Sequence, residues 1–465
     1  MLRRYFNLIS LVFILGVLIG CSSGDGGSTT SADDTDPPPD SGDTGTDPDV
    51  PDPPPVDPDL SRPPNILLII ADDLGLDASS SYAVGTELPA TPTLDALAAD
   101  GLVFDNAWVN PVCSPTRATI LTGRYGIRTG VLWPGDEISL AETSLQSFID
   151  TNVPNTYDQA VIGKWHLAGP SNGGNDNPNL MGVDHFAGVG ERQVSDYFNW
   201  TLVENGLASN NQDYATTAFV DLTIDWIADQ QGPWFAWLAF NAPHTPFHLP
   251  PLGLHDRDTL SADQTAIDAD PLPYYLAMIE AMDQELGRLL ASFSAETRAN
   301  TVIIYLGDNG TPRQVIQGHV PSHGKGSVYE GGIAVPLIVS GRGVTRIGER
   351  ESALVSGVDL FATIAALAGT DTEEINDSKS FVELFSTAAA GPREYAYAEA
   401  RDETTDDWAI RNDRYKLIQR LSVEPELYDL ETDPFEQDNL LVDGIDASEA
   451  IILAELQAQA DLIRQ

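Results

Sequence analysis

Asn65-Ile66-Leu67-Leu68-Ile69-Ile70-Ala71 runs straight into Asp72-Asp73. A strand with water on one face alternates polar and apolar residues. A run that is apolar at every position from Ile66 to Ala71 and rich in β-branched side chains suits a strand covered on both faces. Trp234 to Phe240, Thr301 to Leu306 and Pro336 to Val339 read the same way. Between them, Tyr274 to Phe293 places Leu276, Ile279, Met282, Leu286, Leu289 and Phe293 on one helical face. Thr91-Pro92 starts a helix that closes at Gly101, with Pro at the first helical position and Gly at the end. Strands alternating with helices predict an α/β fold, a large and mainly parallel central sheet flanked by helices. After about residue 390 the texture shifts to short strand-like pieces, Tyr415 to Ile418 and Glu426 to Asp429, and a final helix, Ser448 to Arg464. The expected division is a body over 63–390 and a smaller C-terminal α+β subdomain with a short antiparallel sheet over 391–465.

The chain has 465 residues, 42% of them apolar, and a formal net charge of −46 from 24 Lys and Arg against 70 Asp and Glu. Such a surface repels polyphosphate, which excludes a nucleic-acid partner. Two cysteines, Cys21 and Cys113, exclude a disulfide framework and a Cys-based zinc cluster. Residues 1–20 read as an export signal: Arg3 and Arg4 open it, and the apolar run Leu8 to Ile19 is short for a membrane span. Its end, Leu18-Ile19-Gly20-Cys21, resembles the lipobox of bacterial lipoproteins, which implies a lipid on Cys21 and attachment at the cell envelope, at the outer membrane or cell surface. Residues 22–62 hold eleven Asp, no Glu and runs such as Pro53-Pro54-Pro55. That composition favours an extended, unfolded tether, so 21–62 is read as lipidated Cys plus spacer.

In open α/β sheets, sites form at the carboxyl ends of strands. Two ends here are chemically unusual: Asp72-Asp73, and Gly307-Asp308-Asn309-Gly310. Either pair alone could be a cap or turn former. Together they are an all-oxygen donor set for a hard cation, Ca²⁺ in preference to Mg²⁺ because several protein ligands are on offer. The second cysteine lies in Val112-Cys113-Ser114-Pro115-Thr116-Arg117-Ala118-Thr119-Ile120-Leu121-Thr122-Gly123-Arg124. Pro115 early and Gly123 late bound a short helix. Cys113 stands at its N-terminus, where backbone donors favour an anion, and Arg117 lies one turn on.

Cys-x-Pro-x-Arg followed by Ala-Thr-x-Leu-Thr-Gly-Arg resembles the signature of type I sulfatases, within the alkaline-phosphatase-like superfamily. The similarity continues in the family's order: Asn65 to Leu74, Gly163-Lys164-Trp165-His166-Leu167, Ala242-Pro243-His244-Thr245-Pro246, Gly307 to Gly310, His323-Gly324-Lys325-Gly326 with Tyr329-Glu330-Gly331-Gly332, and Arg414 to Ile418 with Leu427 to Pro434. Ala334 departs from it, since relatives often carry Arg there. The resemblance implies an enzyme that hydrolyses sulfate monoesters, on extracellular sulfated carbohydrates or aryl sulfates. It implies that a maturation enzyme converts Cys113 to Cα-formylglycine, whose hydrate attacks sulfur. A metal would be held by Asp72, Asp73, Asp308, Asn309 and the modified Cys113. Arg117 would stabilise the modified side chain, Lys164 and Lys325 would clamp the sulfate, His244 would assist the leaving oxygen, and His166 would take the proton that lets sulfate leave. Of four lysines in the chain, two, Lys164 and Lys325, are the ones given these roles. The alternatives are a phosphonate monoester or phosphodiester hydrolase on the same scaffold, and a lipid-anchored protein that binds sulfated glycans without cleaving them. Asp283 reads as structural, and His185, His248, His255, His319 and His323 carry no catalytic assignment.

Overall fold

A computed structural model describes residues 58–465. The signal, Cys21 and nearly all of the tether lie outside the described residues. At the described end of that segment, the Asp59 backbone N–H donates to Asn300 Oδ1 (2.8 Å) and Arg342 donates to the Arg62 carbonyl (2.8 Å). No helix among the described residues is long and apolar enough to cross a membrane.

The main sheet is built from β1 (Asn65–Ala71), β2 (Gly101–Trp108), β3 (Asp158–Lys164), β4 (His185–Val189), β5 (Trp200–Glu204), β6 (Leu207–Asn211), β7 (Trp234–Ala239), β8 (Thr301–Gly307), β9 (Leu337–Gly341) and β10 (Glu349–Ser356). Their order is β10-β2-β9-β8-β1-β7-β3-β4-β5-β6. β8, β1, β7, β3 and β4 are mutually parallel, as the apolar runs predict. β9 lies antiparallel between β8 and β2, and β5 and β6 close the far edge as an antiparallel hairpin, so the sheet is mixed.

β1 sits in the middle and faces two cores. Ile66, Leu68 and Ile70 point into one, while Leu67, Ile69 and Ala71 point into the other. Each fully buried Leu or Ile contributes roughly 1.5–3 kcal/mol. The long helix Leu272–Ala291 lays Tyr275, Leu276, Ile279, Met282, Leu286 and Leu289 on the second core. Its buried Asp283 is structural, as expected: the carboxylate accepts from the backbone N–H groups of Thr93 (3.0 Å) and Leu94 (2.8 Å). It thereby caps the helix Pro92–Ala99, whose own N-cap Thr91 makes no side-chain bond to the helix's first N–H groups. Gly101 does not close that helix. It opens β2, where an added Cβ would lie 2.5 Å from the Val339 carbonyl oxygen, so the glycine marks a close strand approach and not a helix stop.

The C-terminal part forms a four-stranded antiparallel sheet, Ala396–Arg401, Asp406–Arg411, Tyr415–Gln419 and Glu426–Asp429, with the helix Ala447–Ile463. It meets the body around Trp108. There the buried Lys416 Nζ lies 4.7 Å from the indole centroid, 2.9 Å from Glu330 Oε1 and 2.6 Å from Glu436 Oε1. Two carboxylates share one ammonium. Burial, only partly offset by Lys416, pushes the Glu436 carboxyl from the ordinary 4.5 up to about 7. The native state therefore holds a proton that the unfolded chain releases, and stability drops as pH rises from 4.5 through 7. Glu436→Gln is expected to flatten this slope and to gain on the order of 1–3 kcal/mol at pH 8. Urea melts of both proteins at pH 5 and pH 8 check it; a Gln variant no more stable at pH 8 would contradict the assignment.

Candidate active site

The register of the parallel strands brings their carboxyl ends to one edge: Ala71 pairs with Gly307, Ile70 with Ala239, and Ala239 with Gly163. Gly163 has φ +105°, and a Cβ there would fall 1.9 Å from the Ala239 carbonyl oxygen, so only glycine lets β3 sit close enough to deliver Lys164. Asp72 and Asp73 follow β1, Asp308 and Asn309 follow β8, and Lys164 ends β3. All five are buried. The Asp73 N–H donates to Asp308 Oδ1 (3.1 Å) and Asn309 Nδ2 donates to Asp73 Oδ1 (2.8 Å), which stitches the two strand ends together.

The helix Cys113–Thr122 points its N-terminus at this edge. Gly123 terminates it in the left-handed conformation at φ +64°, as the sequence predicts. Cys113 is 1% exposed. Its Sγ lies 3.2 Å from His166 Nδ1, and it groups with Asp72 and Asp308 at metal-ligand spacing. Arg117, also 1% exposed, donates from Nε (3.0 Å) and Nη2 (2.7 Å) to Asp308 Oδ2, and from Nη1 to the Lys164 carbonyl. Such burial of a charge is tolerated because each of its three nitrogens has a partner. Lys164 Nζ donates to Asp72 Oδ2 at 2.6 Å, and Lys325, from the loop after β8, pairs with Asp73. The two lysines thus rest on the carboxylates, beside Cys113. His244 Nε2 lies 3.7 Å from Asp73 Oδ2.

Electrostatics follows from this packing. Burial tends to raise the Asp72 and Asp73 carboxyls, but Lys164 and the His244 ring at Asp72, and the His244 ring and Lys325 at Asp73, hold both below the usual range. Burial and the neighbouring Asp72 charge push Asp308 up in spite of Arg117. Burial, Lys164 and Arg117 drive His166 well down, so its imidazole is neutral and able to accept a proton. Burial also pushes the Cys113 thiol up.

The donors fit a hard cation. Asp72 Oδ1 and Asn309 Oδ1 are buried without any hydrogen-bond partner. Oxygen-only donors of this kind suit Ca²⁺ or Mg²⁺. The remaining histidines stand elsewhere: His185 stacks on Trp226, His248 on Tyr197, His323 on Tyr329, His319 packs edge-on against Phe435, and His255 accepts from Arg257 N–H.

The structure adds supports that motif reading did not identify. Tyr275 donates its hydroxyl to the Asp73 carbonyl (2.9 Å), Tyr197 donates to the carbonyls of Asn241 (2.6 Å) and His244 (2.8 Å), and Ser114 Oγ donates to the His166 carbonyl (2.9 Å). His166 itself sits at φ +61°. Ala334, where an Arg was expected, bridges to Trp108 by its backbone.

Residues 64–370 match the family described as Sulfatase, and residues 319–464 match one described as N-sulphoglucosamine sulphohydrolase, C-terminal. The chain is 28% identical to N-acetylgalactosamine-6-sulfatase of Sus scrofa, over 67% of this chain and 63% of that protein, so it spans just under two thirds of the pig protein's length. It is 26% identical to N-acetylgalactosamine-6-O-sulfatase of Bacteroides thetaiotaomicron, over 82% of this chain and 90% of the other. Among solved structures, that of Ps i-CgsB in complex with k-i-k-neocarrahexaose superposes with a TM-score of 0.73 at 25% identity, covering 87% of this chain and 93% of that one.

Proposed function

The chain belongs to the sulfatase family and is a sulfuric-ester hydrolase; from that premise we propose that it cleaves sulfate monoesters of extracellular carbohydrates through a formylglycine made from Cys113, with Ca²⁺, in preference to Mg²⁺, at the aspartates. Its mixed sheet with a small C-terminal antiparallel sheet is the alkaline-phosphatase-like arrangement that the motifs imply. The observation that carries the reading is the placement of Cys113: a buried helix N-terminus, 3.2 Å from a neutral His166 and beside Asp72 and Asp308. The names of the relatives, two of them sulfatases of N-acetylgalactosamine, support a sugar as the organic half.

In this reading Asp72, Asp73, Asp308, Asn309 and position 113 hold the cation. When bound, it neutralises sulfate oxygens and acidifies the attacking hydroxyl. A formylglycine hydrate supplies one hydroxyl to attack sulfur and a second whose deprotonation expels sulfate. Arg117, through its two hydrogen bonds to Asp308, orients the helix N-terminus and stabilises the modified side chain. Lys164 and Lys325 present ammonium groups to the sulfate. The S–O bond to the sugar breaks, and His244 with Lys325 delivers the proton that the sugar oxygen needs. His166 then accepts the proton from position 113, for which its neutral state is suited.

Intact-mass analysis of the peptide containing Cys113 tests this directly. Replacement of SH and H by O should lower its mass by about 18 Da, a change that ordinary thiol oxidation does not produce. A fully unmodified Cys113 in protein that releases sulfate would refute the nucleophile.

The lipobox-like Leu18-Ile19-Gly20-Cys21 supports export and lipid anchoring on Cys21, with 22–62 as the spacer. Ser22 in place of Asp after that cysteine supports an outer-membrane destination. Cys21→Ser should leave an unprocessed precursor or move the protein from the membrane fraction to the soluble one. Normal processing and membrane retention of that variant would dispose of the anchor.

A further inference from the structure

Beside the loop that carries Lys325, a cavity of about 360 Å³ opens between the body and the C-terminal sheet, lined among others by Arg313, His323, Ser327, Tyr329, Asp407 and Arg420. Three of its side chains have buried polar atoms without a partner: Arg420 Nε, His323 Nδ1 and Ser327 Oγ. These atoms are sealed from solvent, so they make the wall behind the cavity polar but are not themselves within a ligand's reach. The cations there are oriented. Arg313 donates to the carbonyls of Lys325 (3.1 Å) and Gly326 (3.4 Å), neither of which neutralises its charge. Arg420 pairs with Glu426 through one nitrogen and lies 5.5 Å from the Tyr329 ring centroid, whose other neighbour is His323, stacked at 3.6 Å. Asp407, which accepts from Leu421 N–H (2.9 Å), is the cavity's one carboxylate and offers an acceptor for a hydroxyl. In a chain with a net charge of −46, two arginines converging on one cavity stand out.

Position gives the cavity its meaning. Gly326 and Ser327 follow Lys325 directly, and the Lys325 ammonium lies on Asp73. The cavity is therefore one lysine side chain away from the reacting centre.

We propose that this cavity is a subsite for a second anionic group, a sulfate or a carboxylate, carried by the sugar that bears the scissile ester or by its neighbour. Arg313 and Arg420 take the anion, and Asp407 takes an adjacent hydroxyl. The proposal rests on the reading of the chain as a hydrolase of sulfated carbohydrates.

The test uses the full-length, mature enzyme and N-acetylgalactosamine disaccharides with one sulfate, with a second sulfate, or with a neighbouring uronic acid. Wild type should show a higher kcat/KM, through KM, on one or both doubly anionic substrates, and the preferred one identifies the anion. Arg420→Gln should lose roughly tenfold or more on that substrate, the worth of one charged hydrogen bond, while the singly sulfated one is unchanged, and Arg313→Gln, whose side chain also holds the Lys325 carbonyl, should lose more on the doubly anionic substrate than on the singly sulfated one. Asp407→Ala, which removes the acceptor for the hydroxyl, should raise KM on that substrate, while Asp407→Asn, which keeps an oxygen acceptor, should restore it, a rescue that a merely structural residue would not give. Equal treatment of all three substrates by wild type, or equal losses on all of them in the arginine variants, would overturn the subsite. Calorimetry of Cys113→Ala with the same disaccharides separates the two readings: tighter binding of a doubly anionic sugar without sulfate release by wild type would keep the subsite and sink the hydrolase assignment.

Discussion

Cys113→Ser, incubated with a sulfate ester, is expected to take up at most one sulfate per chain and then stop. A serine hydroxyl at this position has the same surroundings as the native side chain: His166 Nδ1 at 3.2 Å from the native Sγ, and Asp72 and Asp308 at ligand spacing. It can attack sulfur, and the sugar leaves as the alcohol. The serine then carries a sulfate ester with no second geminal hydroxyl to expel it. Steady turnover should drop by about a thousandfold or more, while mass spectrometry shows one added SO₃ on the peptide containing position 113. Cys113→Ala has no attacking oxygen and should take up none. By the same reasoning His166→Ala should slow release more than attack, a split that single-turnover kinetics resolves. Sustained multiple turnover by Cys113→Ser would end this mechanism.

The second large effect belongs to the cation. Asp72→Ala removes both a metal oxygen and the partner of Lys164, whose ammonium would be left buried and unpaired. Truncating one partner of a buried pair costs about 3–5 kcal/mol, so this variant tests folding as much as metal binding. Asn309→Ala is the cleaner probe, because Asn309 makes no ion pair and its Oδ1 is partnerless. Asn309→Ala should keep its thermal melt within a few degrees, lose bound metal by elemental analysis, and drop in turnover by roughly ten- to a hundredfold. Exhaustive chelation of wild type should abolish turnover, with restoration by added Ca²⁺. Full activity with metal shown to be gone would exclude the cation from the reaction.

Some of this molecule was plain in its residues and some was not. β1 was legible because burial on both faces leaves no room for polar alternation, and the Cys113 helix was legible because Pro115 and Gly123 mark its ends. β2 and β10 were not, since Asp105, Asn106 and three charged residues, Glu349 to Glu351, break the apolar signal in strands near the sheet edge. The β5–β6 hairpin, mostly exposed and polar in its second strand, carries almost no hydrophobic pattern to read. Gly101 misled because a glycine after a helical stretch reads as a stop, while the reason for it lies in Val339, far along the chain. At the site, the charged residues announced themselves through their neighbours in sequence. Tyr197 and Tyr275 could not: a tyrosine on a buried face reads as core, and only the fold shows its hydroxyl holding the backbone at His244 or Asp73.

The burial of Cys113 also sets an order of events. A side chain 1% exposed, in the first turn of a helix whose ten residues are all buried, is out of reach of any second protein once the chain has folded. If Cys113 is converted as proposed, the enzyme that converts it would have to meet an unfolded or emerging chain, ahead of strand pairing around β1. Folding then acts as a deadline. Under that proposal, chains converted in time would become catalysts, and chains that fold first would stay unconverted and inert. The specific activity of a preparation would then count how often conversion outran folding in the cell that made it. Slowing the folding of the chain during synthesis, by lower temperature or a weakened core far from the site, should raise the active fraction and leave the turnover number of each active molecule as it was.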